Sequence, residues 1–551
     1  MTQANTPNRE PSSDADVCIV GSGVAGAIVA YSLSTRGHDV VILEAGQRFD
    51  PANRLQQMEE SLRPHGSPMD IWNMGGPRDQ YITSGEAYYP LNQTRVKGVG
   101  GTTLHWLGVT PRLHEKDFEM ESRYGLATDW PISYDDLRPY YAVAEEEMGV
   151  SGAQDNPFAP PRKNEYPMEA FPPSYSDTLF ADACEELGIT MHSTPQARNS
   201  EVYDGRSQCV GYSTCIPVCP SGAKYSADVH IRKAEKAGAR VIDRAPVQRV
   251  EHDASGQTVS SVEYATPDGE RRRQTADVFV LACGAVEVPR LLLLSASPQY
   301  PDGLANTSGA VGRYFMDQPI VSVTAELDEP TNQEPIGYHT RESHQFYDHI
   351  DPSPGSVKLV FENVNPESFV RPMLSGGDTT PRENVFDFAM GDEWGDEVLE
   401  QIESNYPNKQ VRLLANPELL PDPENRVTLS ESDTDNFGNP VPDVSWNVGS
   451  HARETMEFIR EIQYDILDEM GATIVSETDL TDPAPASHKM GTTRMGTDPR
   501  ESVVTPQLRT HDLHNLYIAS SSVFVTGGAM NPTLTIAALA LKASEHIDDA
   551  L

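Results

Sequence analysis

The segment between residues 16 and 44 is the part of the sequence that most constrains the fold. A short apolar run at 16–21 (DVCIVG) is followed by a stretch with helical spacing at 23–36 and by a second apolar run at 39–44 (DVVILE). Apolar runs of this length, separated by one helix, are typical of two neighbouring strands of a parallel sheet. The sequence therefore predicts an α/β protein that contains a parallel sheet covered by helices.

The turn between the first strand and the helix carries glycines at Gly21, Gly23 and Gly26, and Glu44 ends the second strand. The first glycine permits a tight turn, the second permits a pyrophosphate to approach the backbone, and the third permits the helix to pack closely on the strand. The N–H groups at the helix N-terminus attract a diphosphate, and Glu44 can accept hydrogen bonds from ribose hydroxyls. The pattern predicts a Rossmann-like dinucleotide-binding domain, with a plain glycine-rich turn as the alternative.

The glycine loop alone does not distinguish NAD from FAD. Two later segments also have nucleotide-binding character. Residues 278–290 (VFVLACGAVEVPR) form a predicted strand that ends in Gly284, and residues 516–540 carry a turn of small residues into a helix. Several segments from distant parts of the chain that contact one nucleotide are typical of a flavin cofactor bound along a groove. We therefore expect FAD, with a nicotinamide-linked dehydrogenase as an alternative.

The predicted elements divide the chain into two interleaved domains. Residues 14–115, 205–318 and 484–551 form the predicted FAD-binding domain, and residues 116–204 and 319–483 form the predicted substrate-binding domain. Alternating apolar and polar residues in the second domain predict a mostly antiparallel sheet accompanied by helices. The further predicted strands cover residues 240–243, 247–252, 259–265, 277–282, 320–327, 410–413, 426–429 and 516–520. The further predicted helices cover residues 134–148, 177–187, 450–470 and 533–546.

The charge of the chain excludes several classes of partner. Acidic residues number 82 against 42 basic ones, which gives a formal net charge of −40, and the excess is spread along the chain. Such a surface repels nucleic acids and anionic lipids, so we expect neither as a partner. It is typical of halophilic proteins, in which high salt screens the self-repulsion.

The sequence predicts neither a membrane span nor a secretory signal. Residues 1–16 (MTQANTPNREPSSDAD) are polar and acidic. No apolar run reaches the length of about 18 residues that a membrane helix requires. We expect a cytoplasmic chain that associates with a membrane or is exported only through a partner subunit.

Four motifs accompany the glycine loop: GGTTLHW at 100–106, ACGAVEVPRLLLLS at 282–295, HKMGT at 488–492 and Asn531–Pro532. In this order they resemble the glucose-methanol-choline (GMC) oxidoreductase family, whose members are FAD-dependent enzymes that act on alcohols. The resemblance covers nearly the whole chain and is greatest to the flavin subunits of bacterial glucose, gluconate, sorbitol and fructose dehydrogenases. It implies FAD as cofactor and oxidation of a CH–OH group of a sugar, a sugar acid or a polyol. The predicted cofactor-binding residues are Gly21, Gly23, Gly26, Glu44, Gly100, Gly101, Thr102, His105, Val247, Gly284, Ser520 and Thr533.

The resemblance assigns the catalytic base to His488 and its partner to Asn531. Oxidation of an alcohol by a flavin moves a hydride from carbon while the hydroxyl proton leaves, and the ordinary pKa of histidine suits acceptance of that proton. The amide of Asn531 can donate a hydrogen bond to the substrate oxygen as negative charge develops. Without the resemblance, His488 would be one of 15 histidines with a structural role, and Asn531 a turn residue before Pro532. We expect structural roles for His511 and His514.

The GGTTLHW loop raises the question of how the flavin is attached. Gly100 and Gly101 permit close approach of the backbone, and the resemblance places this loop beside the flavin ring. Some relatives attach FAD covalently through a histidine in a similar position, which would be His105 here. We expect His105 to pack against the ring without a covalent bond, with covalent attachment as the alternative.

Three of the six cysteines, Cys209, Cys215 and Cys219, lie close together in the segment CVGYSTCIPVCP. A disulfide is disfavoured in an intracellular chain and would leave one thiol unpaired. Zinc would need a fourth ligand, for which His230 is a candidate, and inert thiols are usual for isolated cysteines rather than for a group of three. The step from Cys215 to Cys219–Pro220 matches the end of a bacterial ferredoxin motif, whereas the step before it does not. We expect an iron–sulfur site, with inert thiols and zinc as alternatives.

The same cysteine spacing occurs in the flavin subunits that the chain resembles, which implies a three-iron, four-sulfide cluster. Such a cluster takes electrons singly and passes them towards a haem or a quinone. The resemblance therefore implies a dehydrogenase, with a small helper subunit and a cytochrome as partners. Two alternatives remain: an oxidase of the same fold that uses oxygen and has purely structural cysteines, and a non-catalytic flavin subunit that relays electrons.

Overall fold

The computed structural model describes residues 14–61, 68–331, 336–348, 353–363 and 409–551. The strands are β1 (Val17–Val20), β2 (Val40–Leu43), β3 (Ile82–Thr83), β4 (Ser151–Gly152), β5 (Met168–Glu169), β6 (His192–Ser193), β7 (Arg240–Ile242), β8 (Val247–His252), β9 (Val259–Ala265), β10 (Arg271–Gln274), β11 (Val278–Leu281), β12 (Val321–Glu326), β13 (His339–Ser343), β14 (Val357–Glu362), β15 (Gln410–Pro417), β16 (Arg426–Thr434), β17 (Pro440–Ser445), β18 (Thr473–Glu477) and β19 (Leu516–Ile518). The helices are α1 (Val24–Thr35), α2 (Arg54–Ser61), α3 (Met120–Tyr124), α4 (Tyr134–Met148), α5 (Tyr175–Glu186), α6 (Asp228–Lys236), α7 (Gly284–Leu294), α8 (Gly449–Glu469) and α9 (Thr533–Ala550). Within the described ranges, none of these helices combines the length and the apolar character that crossing a bilayer requires.

A five-stranded parallel sheet organises the nucleotide-binding half of the molecule. Its strand order is β19–β11–β1–β2–β7, so the N-terminal, middle and C-terminal parts of the chain all contribute strands to it. The strands β1, β2 and β11 are buried along their whole length, which explains why they are continuous apolar runs (VCIV, VVIL and VFVL). Helix α1 packs against α6 and α9 beside this sheet.

The carboxyl ends of these strands bring predicted nucleotide-binding residues to one edge of the sheet. Gly21 follows β1, Glu44 follows β2, Gly284 begins α7 after β11, and Ser520 follows β19. Neighbouring parallel strands end on the same side, and ligands of such sheets bind outside their carboxyl ends. The topology thus collects residues that are far apart in the sequence.

A six-stranded sheet, in the order β18–β12–β15–β14–β13–β6, organises the other half, and its paired strands are antiparallel. Its apolar face, which includes Val323, Leu359 and Leu413, packs against α8, and α8 packs against α5. Each such side chain stabilises the fold by roughly 1.5–3 kcal/mol when it leaves water. The opposite face is polar and remains available to a ligand.

The structure confirms the fold class predicted from the sequence. Helices α1, α4, α5, α8 and α9 and the predicted strands occur in the expected places, except that the strand predicted at 278–290 ends at Leu281 and helix α7 begins at Gly284. Strand β15 continues to Pro417, beyond the predicted 410–413, and β16 continues to Thr434, beyond the predicted 426–429. Strands β6, β13, β14 and β18 of the six-stranded sheet were not predicted, and neither was β17, which pairs with β16 in a separate sheet. The boundaries of the two domains stay predictions.

Candidate active site

A cavity of about 1090 Å³ lies between the carboxyl edge of the parallel sheet and the polar face of the antiparallel sheet. Most of the predicted site residues line it: Gly21, Gly23, Glu44, Gly101, Thr102, His105, Val247, Gly284, His488, Ser520, Asn531 and Thr533. Gly26 and Gly100 lie behind this lining, where the chain packs too closely for a larger side chain. The three clustered cysteines lie outside the lining.

The first glycine loop has the geometry that a bound pyrophosphate requires. Gly21 has a φ of +100°, and a β-carbon there would lie 2.8 Å from the carbonyl oxygen of Ala282. A β-carbon on Gly26 would lie 2.1 Å from the carbonyl oxygen of Gly21, so α1 packs on the loop more closely than any side chain allows. At Gly23, a β-carbon would meet no described atom within 4 Å, because this residue faces the cavity. The N-terminus of α1 therefore presents N–H groups to the cavity.

Glu44 has room for one more hydrogen bond from a ribose. It is 5 % exposed and lines the cavity. Its Oε2 accepts from the N–H and the hydroxyl of Ser22 at 3.0 and 2.7 Å, and its Oε1 accepts from the N–H of Gly46 at 2.9 Å. A carboxylate offers about four acceptor positions, so one remains for a ligand hydroxyl. Burial raises the pKa of Glu44, and these hydrogen bonds oppose that shift.

The second glycine loop packs directly on the first. Gly100 (φ +109°) and Gly101 (φ +57°) have backbone conformations that favour glycine, and a β-carbon on Gly101 would lie 2.9 Å from Cα of Gly23. The N–H of Gly100 donates to the hydroxyl of Ser22 at 3.3 Å. His105, at the end of this loop, is 6 % exposed and lines the cavity. The two loops and the N-terminus of α1 form a groove whose shape and donors fit FAD.

His488 is held at the cavity by two residues that precede β12. Backbone hydrogen bonds join the two segments, and the N–H of His488 donates to Oδ1 of Asp317 at 2.7 Å. The ring forms two further hydrogen bonds. Its Nδ1 lies 2.5 Å from Oε1 of Gln318, and its Nε2 lies 2.8 Å from Nδ2 of Asn531, which immediately precedes Pro532 and α9. The predicted catalytic pair is therefore in direct contact.

The directions of these hydrogen bonds identify the protonated nitrogen of His488. Nε2 of Gln318 donates to two backbone carbonyl oxygens at 2.8 and 3.1 Å, so its Oε1 faces His488 and must accept. Oδ1 of Asn531 accepts from Nζ of Lys358, so its Nδ2 faces His488 and must donate. Nδ1 of His488 therefore carries the proton, and Nε2 keeps the lone pair that a base requires.

The surroundings of His488 favour its neutral form. Burial lowers the pKa of His488 well below its ordinary value, and the positive charges of Lys358 and Lys489 lower it further. Burial also raises the pKa of the neighbouring Asp317 to about 6. Lys489 is anchored away from the ring, since its Nζ donates to the carbonyl oxygen of Thr94 at 2.8 Å. His488 is thus neutral near pH 7 and can accept a proton at Nε2.

Two residues that orient this pair, Lys358 and Gln318, were not predicted from the sequence. Lys358 is 1 % exposed on β14, and Gln318 is fully buried just before β12. A lysine inside the otherwise apolar run VKLVF was a usable signal for Lys358, because a charge at such a position needs a partner. Gln318 lies outside regular structure, and no local pattern marks it.

The polar face of the antiparallel sheet forms the wall of the cavity opposite the nucleotide loops. Side chains alternate along a strand, so β12, β14 and β15 direct apolar residues to α8 and polar residues to the cavity. The polar residues of this wall are Ser322, Thr324, Lys358, Glu362, Gln410, Arg412 and Asn416. Nη1 of Arg412 lies 3.1 Å from Oε2 of Glu362. The wall therefore offers both hydrogen-bond donors and acceptors to a ligand.

The three clustered cysteines lie in surroundings of positive charge. Cys215 is 8 % exposed, and Cys209 and Cys219 are partly buried. Nη1 of Arg198 lies 3.7 Å from Sγ of Cys209. Burial raises the pKa of Cys219, but the backbone N–H and the charge of Lys224 more than offset this and hold it below its ordinary value. The surroundings of Cys219 therefore favour the thiolate, the form of cysteine that binds metals, whereas burial raises the pKa of Cys215 to about 11.

The geometry distinguishes among the interpretations of these cysteines. All six cysteines are unpaired, so the loop contains no disulfide. Both ring nitrogens of His230 are engaged, by Tyr225 at 2.8 Å and by Glu147 at 3.1 Å, which leaves none for zinc. Ligands of a single ion lie close together. The Sγ atoms of these three described cysteines do not all lie within 4.8 Å of one another. A cluster, in which different irons bind different thiolates, is compatible with wider spacing.

The cysteine loop is tied to the edge of the cavity. Ile216, which follows Cys215, lines the cavity. Nζ of Lys224 donates to the carbonyl oxygens of Leu104 and Trp106 at 3.2 and 2.6 Å. The same ammonium donates to the carbonyl oxygen of Cys215 at 2.6 Å. One buried lysine therefore holds the second glycine loop and the cysteine loop together.

Family models match most of the chain. Models of GMC oxidoreductases match residues 90–320 and 421–540. A model of FAD dependent oxidoreductases matches residues 16–52, which contain the first glycine loop and Glu44. The matched residues thus include both glycine loops, His488 and Asn531.

Individual proteins resemble the chain over almost its whole length. It is 35 % identical to the fructose dehydrogenase large subunit of Gluconobacter japonicus, over 97 % of each chain. It is 30 % identical to 2-methyl-1,2-propanediol dehydrogenase of Mycolicibacterium austroafricanum, over 97 % of this chain and 95 % of that protein. The solved structure of pyridoxine 4-oxidase from Mesorbium loti matches with a TM-score of 0.65 at 18 % identity, over 97 % of this chain and 99 % of that one, which shows a shared fold.

Proposed function

The chain belongs to the GMC oxidoreductase family, and from this we propose that it is an FAD-dependent dehydrogenase that oxidises a CH–OH group of a sugar, a sugar acid or a polyol. His488 is the proposed base, and the electrons leave through an iron–sulfur centre held by Cys209, Cys215 and Cys219. The observation that carries the proposal is the meeting, in one cavity, of a groove that fits FAD and a histidine whose unprotonated Nε2 contacts Asn531.

The hydrogen bonds around His488 support its role as the base. Bound FAD supplies the acceptor for the hydride that leaves the substrate carbon. The hydroxyl proton passes to Nε2 of His488, and the hydrogen bond from Nδ1 to Gln318 keeps the ring in place as it becomes positive. Nδ2 of Asn531 lies 2.8 Å from Nε2 and can donate to the substrate oxygen as negative charge develops there.

The polar wall of the cavity supports a polyhydroxylated substrate. A simple alcohol would displace water from these donors and acceptors but could not replace the hydrogen bonds that the water made. Each buried group left unpaired in this way would cost about 1–3 kcal/mol of binding free energy. A sugar or polyol carries hydroxyls that both donate and accept, so it can satisfy mixed pairs such as Arg412 and Glu362. The named relatives, one for fructose and one for a vicinal diol, agree with this chemistry.

Turnover on a matched substrate panel tests the substrate class. FAD-loaded protein is assayed under nitrogen with an artificial electron acceptor and with ketoses, aldoses, sugar acids, polyols and simple alcohols. We expect kcat/KM for the best polyhydroxylated substrate to exceed that for a simple alcohol by at least about 100-fold. Equal values would contradict the assignment of the wall to substrate hydroxyls.

Substitution of the base tests its role. In His488→Ala we expect kcat to fall by about 10²–10⁴-fold. The FAD content should not change, because the glycine loops are intact. His511→Ala is the matched control, since His511 bonds to the hydroxyl of Ser502 at 2.9 Å and does not line the cavity. A near-normal rate in His488→Ala would refute the assignment.

The position of the cysteine loop supports transfer of electrons to a partner. Ile216 brings this loop to the cavity, and Lys224 bonds it to the second glycine loop. A cluster at this position would take electrons one at a time, and a haem or a quinone could receive them. A small helper subunit and a cytochrome are the proposed partners, and either could attach the chain to a membrane or export it.

Peroxide formation distinguishes this proposal from an oxidase of the same fold. Under air and without an added acceptor, we expect much less than one hydrogen peroxide for each substrate oxidised. A yield of about one peroxide per turnover would identify an oxidase and leave the cysteines with a structural role.

A further inference from the structure

Lys358 connects the catalytic pair to a buried group of polar residues behind the cavity. It is 1 % exposed, its Nζ donates to Oδ1 of Asn531, and the same Nζ lies 4.0 Å from Oε2 of Glu342. Glu342 has no exposed surface. An ammonium group buried to this degree is stable only where it is paired and hydrogen-bonded. Asn531 and Glu342 therefore determine where this ammonium lies.

Glu342 is itself held by His344, and the hydrogen bonds again have a definite direction. Oδ1 of Asn156 accepts from the N–H of Phe158 at 2.9 Å, so its Nδ2 faces Nδ1 of His344, at 3.0 Å, and must donate. The proton of His344 is therefore on Nε2, which donates to Oε1 of Glu342 at 3.0 Å. Glu342 thus accepts a hydrogen bond on one oxygen and directs its negative charge to Lys358.

The direction of these hydrogen bonds argues against a metal ion bound by His192, Glu342 and His344. Ligand-type atoms of His192, Glu342 and His344 lie within 4.8 Å of one another, a spacing that one ion could bridge. A metal would need the lone pair of Nε2 of His344, but Asn156 makes this nitrogen the protonated one. Asn156, His344 and Glu342 therefore already form a chain of hydrogen-bond donors and acceptors that ends at Lys358.

We propose that Lys358 is a positioning residue of the active site, which holds the amide of Asn531 so that its N–H groups face Nε2 of His488 and the substrate oxygen. Without the donor on Oδ1, the amide can turn over and place its oxygen opposite Nε2, so that two acceptors face each other. The inference rests on the proposed roles of His488 and Asn531 and extends them to a residue on the neighbouring sheet.

Lys358 also contributes charge to the site. The charged groups that face His488 are Lys358 from β14, Lys489 from its own segment and Asp317 from the segment before β12, with Glu342 behind Lys358. The two lysines lower the pKa of His488, in addition to the effect of burial. Removal of the charge of Lys358 should therefore raise that pKa, whereas a residue with a purely structural role would leave it unchanged.

Two readouts on the FAD-loaded protein test the proposal in Lys358→Met. We expect kcat/KM to fall by about 100-fold, the usual cost of losing one oriented donor. With ¹⁵N-labelled histidine and His488→Asn to assign the signal, NMR should show a higher pKa for His488, because loss of the ammonium charge and an amide oxygen turned towards Nε2 both favour the form protonated at Nε2. Lys409→Met is the matched control, because Lys409 lies exposed at the edge of the same sheet, next to β15. It should change neither readout.

A double-mutant cycle tests whether Lys358 acts through Asn531. If it does, Lys358→Met reduces kcat/KM much less in an Asn531→Ala background than alone. Additive losses and an unchanged pKa of His488 would overturn the proposal. If the single variant does not fold because Glu342 is left unpaired, Lys358→Met with Glu342→Gln removes both charges and gives the same readouts. The NMR readout needs no turnover, so an enzyme inactive on the whole substrate panel would refute the proposed function and still test this inference.

Discussion

Asn531 is oriented by hydrogen bonds at both ends of its amide. Lys358 donates to its oxygen, and its nitrogen donates to Nε2 of His488. Gln318 fixes the opposite side of the His488 ring in the same manner. Three polar side chains thus leave Nε2 of His488 unprotonated, and its one lone pair accepts from Asn531 at the cavity, where a substrate hydroxyl would bond in the proposed reaction.

The pH dependence of kcat/KM follows from the surroundings of His488. As the proposed base, His488 must have an unprotonated Nε2, and burial with two nearby lysines holds its pKa well below the ordinary 6.5. We therefore expect kcat/KM to stay constant as the pH falls from about 8 through 6.5 and to decrease only at lower pH. A pH series of kcat/KM, with folding checked at each pH, measures this. An acidic limb centred at or above pH 6.5 would contradict the assigned environment.

The cysteines give a prediction about iron. In Cys219→Ser we expect loss of iron and acid-labile sulfide and of electron transfer to the acceptor, while substrate still reduces the flavin. Cys184→Ser is the matched control, because Cys184 is an isolated buried thiol on α5 and should not affect iron. Wild-type protein that contains no iron and still reduces its acceptor would refute the cluster.

Single residues of the site differ in how well the sequence predicts them. His488 and Asn531 belong to motifs with fixed neighbours, and the three cysteines stand out because cysteine is rare in this chain. Lys358 and Glu342 are brought together only by the pairing of β13 with β14. Gln318 is held in place by hydrogen bonds to the residues before α9. Such contacts depend on strand register and tertiary packing, which local patterns do not specify.

At the scale of elements, the second and third glycines of the first loop, Gly23 and Gly26, have different roles. A β-carbon on Gly26 would lie 2.1 Å from the oxygen of Gly21, whereas one on Gly23 would point into the open cavity. We expect Gly26→Ala to lower the melting temperature of the protein even without FAD. Gly23→Ala should fold normally and bind FAD more weakly, because its methyl group would enter the part of the cavity that is expected to hold the pyrophosphate.

Thermal unfolding with and without FAD, together with flavin content, measures both effects. Equal destabilisation by the two substitutions would contradict the assigned roles, as would full flavin binding in Gly23→Ala.

The elements of the parallel sheet were predicted better than those of the antiparallel sheet. Strands β1, β2 and β11 are apolar on both faces and follow one another with clear turns, so local composition identifies them. In the second half, β14 carries a buried lysine and β18 is exposed along its whole length, so neither shows the alternation expected of a strand with one buried face. In β14 the buried Lys358 stands where the core pattern would place an apolar residue, and β18 is an exposed edge strand.

At the scale of the whole molecule, the net charge of −40 predicts a salt-dependent stability. Screening shortens the range of repulsion from about 10 Å at 0.1 M salt to about 3 Å at 1 M, so added salt should stabilise the folded state. We expect the melting temperature to rise by several degrees between dilute buffer and molar KCl. Sucrose at equal osmolality is the control for effects other than screening. A melting temperature indifferent to KCl would contradict adaptation to high salt.

The two halves of the molecule meet at one cavity, and each supplies a different part of the proposed reaction. The parallel half supplies the groove for FAD and the adjoining cysteine loop, and the antiparallel half supplies the polar wall. His488 and Asn531 lie where the two halves meet. In the proposed reaction, this arrangement would place the substrate at the polar wall, the flavin in the groove and the exit for electrons at the cysteine loop.

Anaerobic mixing of FAD-loaded protein with its best substrate tests the central claim most directly, when flavin absorption and iron paramagnetic resonance are followed together. We predict that substrate bleaches the flavin and then changes the iron signal in the same protein. Both changes should be lost in His488→Ala, and only the second in Cys219→Ser. A flavin that no sugar, sugar acid or polyol bleaches, or one that is bleached without any iron signal, would contradict the account.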